Sequence, residues 1–506
     1  MKMNARLLLL LSVIWMSTST HSFASVYFVA PGGSDMDPGS MASPYATIAK
    51  GVSVAQPGDT VFLRGGNYTV LSSINIHKSG TVDSYYYLLS YPGERAVLDC
   101  SSQAMGGSNR GILLTGSYWH IEGIDIKGAG DNGMKIDNGH HNRIVNCAFY
   151  RNRDSGLQMG NGASYNQVIN CDSYYNADPP DYGDADGFAA KLDVGVENYF
   201  YGCRAWLNCD DGWDGYMRGA DNASTIVVNC WAFENGYLED GSDPGAAANG
   251  NGFKMGGSDD KTLRHDYTLK NCLAFKNKAK GFDQNSNMGS MILYNCTGYN
   301  NLGDNYKIYK ELAAGEELIL KNCLEYGGKV DLADFAIEEK NSWDGTFTVS
   351  DDDFLGLDES PAYGPRQADG SLPEIPYMHL SENSDLVDAG VDIGLPFFGI
   401  APDLGCFERG FISNIKENED PVLKIWPNPA PERININLET PVQGNIEISI
   451  YDMTGKLIKS SIFHHSGGYR NYIMDLPEAK DGIYLVRITG PDKKIVSRKI
   501  LKKSGS

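Results

Sequence analysis

Between Cys147 and Cys323 the hydrophobic residues fall in short runs, such as Tyr199-Phe200-Tyr201, Ile226-Val227-Val228 and Met291-Ile292-Leu293-Tyr294, separated by Asn, Asp and Gly. Short runs rich in β-branched and aromatic residues predict strands, and the polar residues between them predict turns. The runs recur on a period marked by a cysteine: Cys147, Cys171, Cys203, Cys230, Cys272, Cys296 and Cys323. Most steps are 24 to 32 residues, by subtraction of those numbers. Such a period predicts stacked units, each burying its apolar face against its neighbours. The expected fold is all-β, a right-handed parallel β-helix.

The cysteines also register the coils. Gly156-Leu157-Gln158, Gly212-Trp213-Asp214, Gly281-Phe282-Asp283 and Asn305-Tyr306-Lys307 each begin nine residues after a cysteine. In two coils the equivalent strands, Gly187-Phe188-Ala189 and Gly252-Phe253-Lys254, come later, behind insertions of about seven and thirteen residues in the turn. If the aromatic points inward, the next residue points outward. The outward column is then Gln158, Ala189, Asp214, Lys254, Asp283 and Lys307, with Lys254 between Asp214 and Asp283. Lys191, Tyr216, Gly256 and Asn285 form the next outward column, and Asp186 stacks on Asp211, with Asp210 beside it. Arg218, Asn287 and Tyr309 follow these positions in the chain and join Lys191, Tyr216 and Asn285 as candidate substrate contacts.

Asp186, Asp210, Asp211 and Asp214 therefore converge on one edge of two adjacent coils. Like charges this close repel unless a cation joins them, and calcium suits a loose set of hard oxygen ligands. The bland alternatives are a solvated acidic turn and, for Lys254, a salt bridge to Asp214 or Asp283. A lysine beside a dication has its pKa lowered and can serve as a base.

The ends of the chain differ from its middle. Lys2 and Arg6, the apolar stretch from Leu7 to Met16 and Ser22-Phe23-Ala24 predict a signal peptide over residues 1–24. The β-helix is expected over 25–410; Val26-Tyr27-Phe28-Val29 through Gly65-Gly66-Asn67-Tyr68 resembles the entrance of many carbohydrate-active β-helices, where a short helix caps the first coil, and Ala401 to Glu408 resembles their closing strand. A charged linker follows at 411–420. Beyond it, alternation such as Ile446-Glu447-Ile448-Ser449-Ile450-Tyr451 predicts a small antiparallel β-sandwich over 421–506. Ten cysteines in an exported chain raise the question of disulfides, but their periodicity favours free thiols stacked in the core. A net charge of -21 disfavours nucleic acid as a partner. No later segment is long and apolar enough for a transmembrane helix, and a monomer is expected.

Two resemblances sharpen this. The blocks Asp184-Ala185-Asp186-Gly187-Phe188-Ala189-Ala190-Lys191-Leu192, Cys209-Asp210-Asp211-Gly212-Trp213-Asp214 and Asn251-Gly252-Phe253-Lys254 resemble polysaccharide lyase family nine, pectate and rhamnogalacturonan lyases. That likeness implies a calcium site at Asp186, Asp210, Asp211 and Asp214, Lys254 as catalytic base, and β-elimination on galacturonate-containing pectic polysaccharide. Trp426-Pro427-Asn428-Pro429, Tyr451-Asp452-Met453-Thr454-Gly455-Lys456 and Asp481-Gly482-Ile483-Tyr484 resemble the C-terminal sorting domain of the type IX secretion system, implying that machinery as a partner and a secreted or cell-surface location. Two rivals remain in view. A polygalacturonase-type hydrolase needs paired carboxylic acids, which Asp210-Asp211 imitates, and a non-catalytic adhesin would bind polysaccharide without releasing product.

Overall fold

The computed structural model describes residues 24–409, 422–426, 433–452, 456–476, 482–490 and 495–502. The expected signal peptide, apart from residue 24, and the linker lie outside the described residues, as do Pro427 to Pro429, Met453 to Gly455 and Asp481 of the sorting motifs. No helix among the described residues is long and apolar enough to cross a membrane.

Each coil contributes one strand to each of three parallel sheets. In the coil of Cys147 these are Arg143–Val145 in a twelve-stranded sheet (sheet 1), Ala148–Tyr150 in a ten-stranded sheet (sheet 2) and Leu157–Gly160 in a second ten-stranded sheet (sheet 3). The expected register of sheet 3 is observed: Phe188 pairs with Trp213, Asp214 with Lys254, and Lys254 with Asp283. The aromatics point inward and stack on successive rungs, with ring centroids 4.8 Å apart for Trp213 and Phe253 and 5.3 Å for Phe253 and Phe282.

The recurring Asn-Cys pair has a local cause. The residue before each cysteine turns the chain from sheet 1 into sheet 2 in the left-handed region: Asn146, Asn170, Asn229 and Asn271 have φ of 52°, 53°, 55° and 52°. Asparagine tolerates this conformation better than most residues, and glycine, at Gly202 with φ 64°, tolerates it at no steric cost. The cysteines then enter the core; all ten are free and buried. A second turn holds an asparagine ladder. Asn152, Asn176, Asn208, Asn235, Asn277 and Asn301 each donate Nδ2 to the next asparagine Oδ1, from Asn152 to Asn176 at 2.9 Å through to Asn301 and Asn305 at 2.7 Å. These amides are buried, so the ladder satisfies groups that would otherwise be costly.

The cap is present. Helix Ile48–Val54 starts at Thr47, whose hydroxyl accepts from Lys50 N at 3.1 Å, and it buries Ile48, Gly51 and Val52 over the first coil. The expected closing strand is not. Residues 401–408 form no strand, and the segment lies along the outside of sheet 2, with Cys406 N donating to Thr297 Oγ1 at 2.9 Å. It belongs to a strap that covers the outward aromatics Trp206, Phe233, Phe275 and Tyr299 with Phe354, Tyr377 and Leu404. The physical reason is that sheet 2 turns large aromatics outward from Trp206 to Tyr299, and these need a cover. Half-buried Arg366 fastens the strap, donating Nη2 to Asp172 Oδ1 at 2.7 Å and to Cys171 O at 2.9 Å.

Among the described residues the C-terminal region forms a five-stranded antiparallel sheet built on two long strands, Arg433–Asp452 and Leu457–Asp475. Its alternating residues Ile446, Ile448 and Ile450 are buried, in one core with Ile434, Val486 and Ile488.

Candidate active site

Sheet 3 forms the floor of a groove of about 600 Å³ whose walls include Lys191, Asp214, Tyr216, Arg218, Lys254 and Asn285. Strand alternation sends Asp214 and Lys254 outward into it from Trp213–Asp214 and Phe253–Lys254. Asp186 and Asp211 come from the preceding turn and stack, with Asp211 N donating to Asp186 Oδ1 at 3.2 Å.

Carboxylate oxygens of Asp186, Asp211 and Asp214 all lie within 4.8 Å of one another, and all three residues are buried. Two ammonium groups cross this cluster. Lys254 Nζ lies 3.0 Å from Asp211 Oδ2 and 3.3 Å from Asp214 Oδ1, and Lys191 Nζ lies 2.6 Å from Asp186 Oδ2 and 3.3 Å from Asp214 Oδ2. Asp210 is buried beside the cluster but outside the group of three, its Oδ1 accepting from Asn249 N at 2.6 Å. Asp211 Oδ1 accepts from Asn251 N at 2.7 Å and Nδ2 at 2.8 Å, whereas Oδ2 meets the Lys254 ammonium.

The protonation equilibria follow. Burial, reinforced by mutual repulsion, pushes the Asp186, Asp210 and Asp211 carboxyls up. Burial also acts on Asp214, but Lys254 and Lys191 outweigh it and hold this carboxyl below the usual range. Burial alone would depress the two lysines; the surrounding carboxylates outweigh it and hold both well above their ordinary value. Without a further cation, Lys254 is therefore an acid and not a base.

Of the six candidate sugar contacts, Lys191, Tyr216, Arg218 and Asn285 line the groove. Lys191 does so with its ammonium turned into the carboxylates. Tyr216 bonds Asp259 through its hydroxyl, and its ring centroid lies 5.7 Å from Lys254 Nζ and 5.7 Å from Arg218 Cζ. The other two sit elsewhere. Asn287 is buried, accepting from His265 N at 3.0 Å and donating to His265 O at 2.7 Å, and Tyr309 is exposed outside the groove between Lys307 and Lys310. The second outward column also slips by one residue. Met217 bridges to Ser258, so Tyr216 faces Gly257 rather than Gly256. An extra residue is absorbed there by Gly256 and Gly257, at φ 121° and 97°. The groove extends past residues that sequence reasoning passed over, among them Arg110, Asp131, Lys135 and Asp154. Burial and the Asp154 charge push Asp131 up to about 6, against Arg110 at 2.9 Å.

His265 supports the floor from inside. Its Nδ1 meets Gly215 O at 2.9 Å and its Nε2 meets Thr225 Oγ1 at 2.8 Å, which fits a neutral ring donating through Nδ1. Burial pushes it down to about 4. A depressed pKa means that the unfolded chain binds the proton first, so stability present above pH 6.5 is lost as pH falls toward 4. The expected loss over that window is about 3 kcal/mol relative to His265→Gln. Thermal denaturation of both proteins at stepped pH measures it, and parallel profiles would contradict the assignment.

A groove on a parallel β-helix, floored by buried carboxylates and lysines, offers the groups for acid–base chemistry. Comparison with known proteins makes the class specific. The model of the Pel9A-like, right handed beta helix region matches residues 27–322, and that of the secretion system C-terminal sorting domain matches residues 424–503. Pectate lyase L of Dickeya chrysanthemi is 39% identical over 404 residues, covering 78% of this chain and 92% of the relative. Pectate lyase L of Paenibacillus polymyxa is 39% identical over 402 residues, covering 75% and 86%. Among solved structures, pectate lyase Pel9A superposes with a TM-score of 0.71 at 37% identity, over 77% of this chain and 97% of that one. A rhamnogalacturonan lyase gives 0.63 at 26% identity, over 71% and 97%. The chain belongs to the Pel9A-like right-handed β-helix family and is a polysaccharide lyase. It carries a type IX sorting domain, which marks it for export.

Proposed function

We propose that this lyase is calcium-dependent and cleaves galacturonate-containing pectic chains by β-elimination, with Lys254 as the base. The observation that carries the reading is the Lys254 ammonium between Asp211 and Asp214 at the floor of the groove, 3.0 and 3.3 Å from their oxygens. Asp186, Asp211 and Asp214 would hold calcium directly, with Asp210 beside them. The donor set fits, because it consists of hard carboxylate oxygens that lie within 4.8 Å of one another.

What bound calcium supplies there is positive charge that neutralises a uronate carboxylate and acidifies the adjacent C5–H. Neutral Lys254 takes the C5 proton. The C5–H electron pair becomes the C4=C5 double bond, the C4–O bond breaks, and water protonates the leaving oxygen. Tyr216, Arg218 and Asn285 flank the reacting sugar. In the same reading the C-terminal sheet engages the type IX secretion machinery and the enzyme works outside the cell or on its surface.

The test is ultraviolet absorbance on polygalacturonate and on rhamnogalacturonan, with and without chelator. A conjugated product that forms with calcium and fails to form in chelator is expected. Reducing ends without ultraviolet absorbance would indicate a hydrolase, binding without product an adhesin, and full activity in chelator would remove the calcium requirement. The names of the relatives admit either polymer as preferred substrate, and the ratio of the two rates decides between them.

A further inference from the structure

Lys191 is placed differently from a lysine that simply meets substrate. It follows strand Phe188–Ala190 and turns back, so that its ammonium lies 2.6 Å from Asp186 Oδ2, 3.3 Å from Asp214 Oδ2 and 3.4 Å from Asp184 O. Its side chain is 8% exposed, and Asp186 is fully buried. Lys254 has the complementary pair, Asp211 and Asp214, but also faces the Tyr216 ring in the groove. Asp214 is thus shared, one oxygen to each lysine.

We infer that Lys191 is the built-in counter-ion of the cation site, a positioning residue that holds Asp186 and Asp214 together in the metal-free chain and competes with the divalent cation for them. The inference rests on the calcium reading above. Three buried carboxylates within 4.8 Å repel strongly in a low-dielectric interior. An ammonium among them lets the coils close without metal, and a cation that enters must take those oxygens from it. Removing the ammonium then has two opposed consequences: the metal-free protein loses stability, and the cation binds more tightly because a like charge is gone. A lysine that served only to contact sugar would produce neither.

The test uses the full chain with Lys191→Met and Lys191→Arg, purified with calcium and stripped by chelator. Thermal unfolding of the metal-free forms should show Lys191→Met lower by several degrees. Calcium titration should show its Kd tightened by about tenfold, with Lys191→Arg near wild type in both. Should stripped Lys191→Met fail to stay folded, competition between the loaded protein and a chelator of known affinity gives the Kd without a metal-free form. Wild type that binds calcium, beside Lys191→Met that binds it equally or more weakly, would overturn this inference alone. Wild type that binds no calcium would overturn the calcium reading with it.

Discussion

Replacing Lys254 by alanine is expected to lower kcat on pectic substrate by about 10³-fold, within the range for loss of a positioned general base, while the calcium-loaded protein stays folded and still binds polymer. The argument rests on a reversal of charge. With the carboxylates alone, Lys254 is held protonated, and only a competing dication beside Asp211 and Asp214 can lower its affinity for the proton. Activity should therefore rise with pH toward the alkaline side, because the neutral amine is the working form. Lys254→Arg should be no better than alanine, since a guanidinium keeps its proton throughout that range. Initial rates by ultraviolet absorbance, with binding measured separately by affinity electrophoresis, separate lost chemistry from lost binding. An alanine variant within tenfold of wild type would remove Lys254 from the mechanism.

That Lys254 stands beside Asp214 is legible because a parallel β-helix converts sequence distance into rungs, and the cysteines mark where each rung begins. The ruler works because the corner before each cysteine needs a residue that tolerates positive φ, as Asn146 and Gly202 do. A second ruler was equally available. Asn152, Asn176, Asn208, Asn235, Asn277 and Asn301 each stand five residues after a cysteine, and all belong to the buried ladder. Legibility ended where the strands end. Phe253–Lys254 and Phe282–Asp283 are two residues long, so alternation says nothing reliable about Gly256 or Asn287. The glycine pair there admits an extra residue, and Asn287 turns inward to serve His265. Spacing alone places Lys191 in an outward column, which suggests a substrate contact. Only side-chain length and direction, which spacing does not encode, carry its ammonium to Asp186. The segment 401–408 resembles a closing strand, but the outward aromatics of sheet 2 need covering, a demand that arises only once the coils are stacked.

Within the acidic cluster the four aspartates are expected to differ, and Asp211→Asn against Asp210→Asn is the sharpest comparison. Asp211 belongs to the group whose oxygens lie within 4.8 Å of one another, and its Oδ2 meets the Lys254 ammonium at 3.0 Å. Asparagine can keep the Oδ1 bonds from Asn251 N and Nδ2, at 2.7 and 2.8 Å, so the substitution removes charge with little change of shape. Losing one ligand charge at short range is expected to weaken calcium binding by about 3 kcal/mol, roughly 10²-fold in Kd. Asp210 lies outside the group, with Oδ1 occupied by Asn249 N at 2.6 Å, and Asp210→Asn should cost roughly tenfold or less, through charge at longer range. Calcium titration by calorimetry gives both constants directly. Excess calcium should restore much of the activity of either variant, because the base and the groove are intact, whereas it should do nothing for Lys254→Ala. Equal losses at Asp210 and Asp211 would mean that both bind the ion directly, and that the turn carrying Asn249 moves when it does.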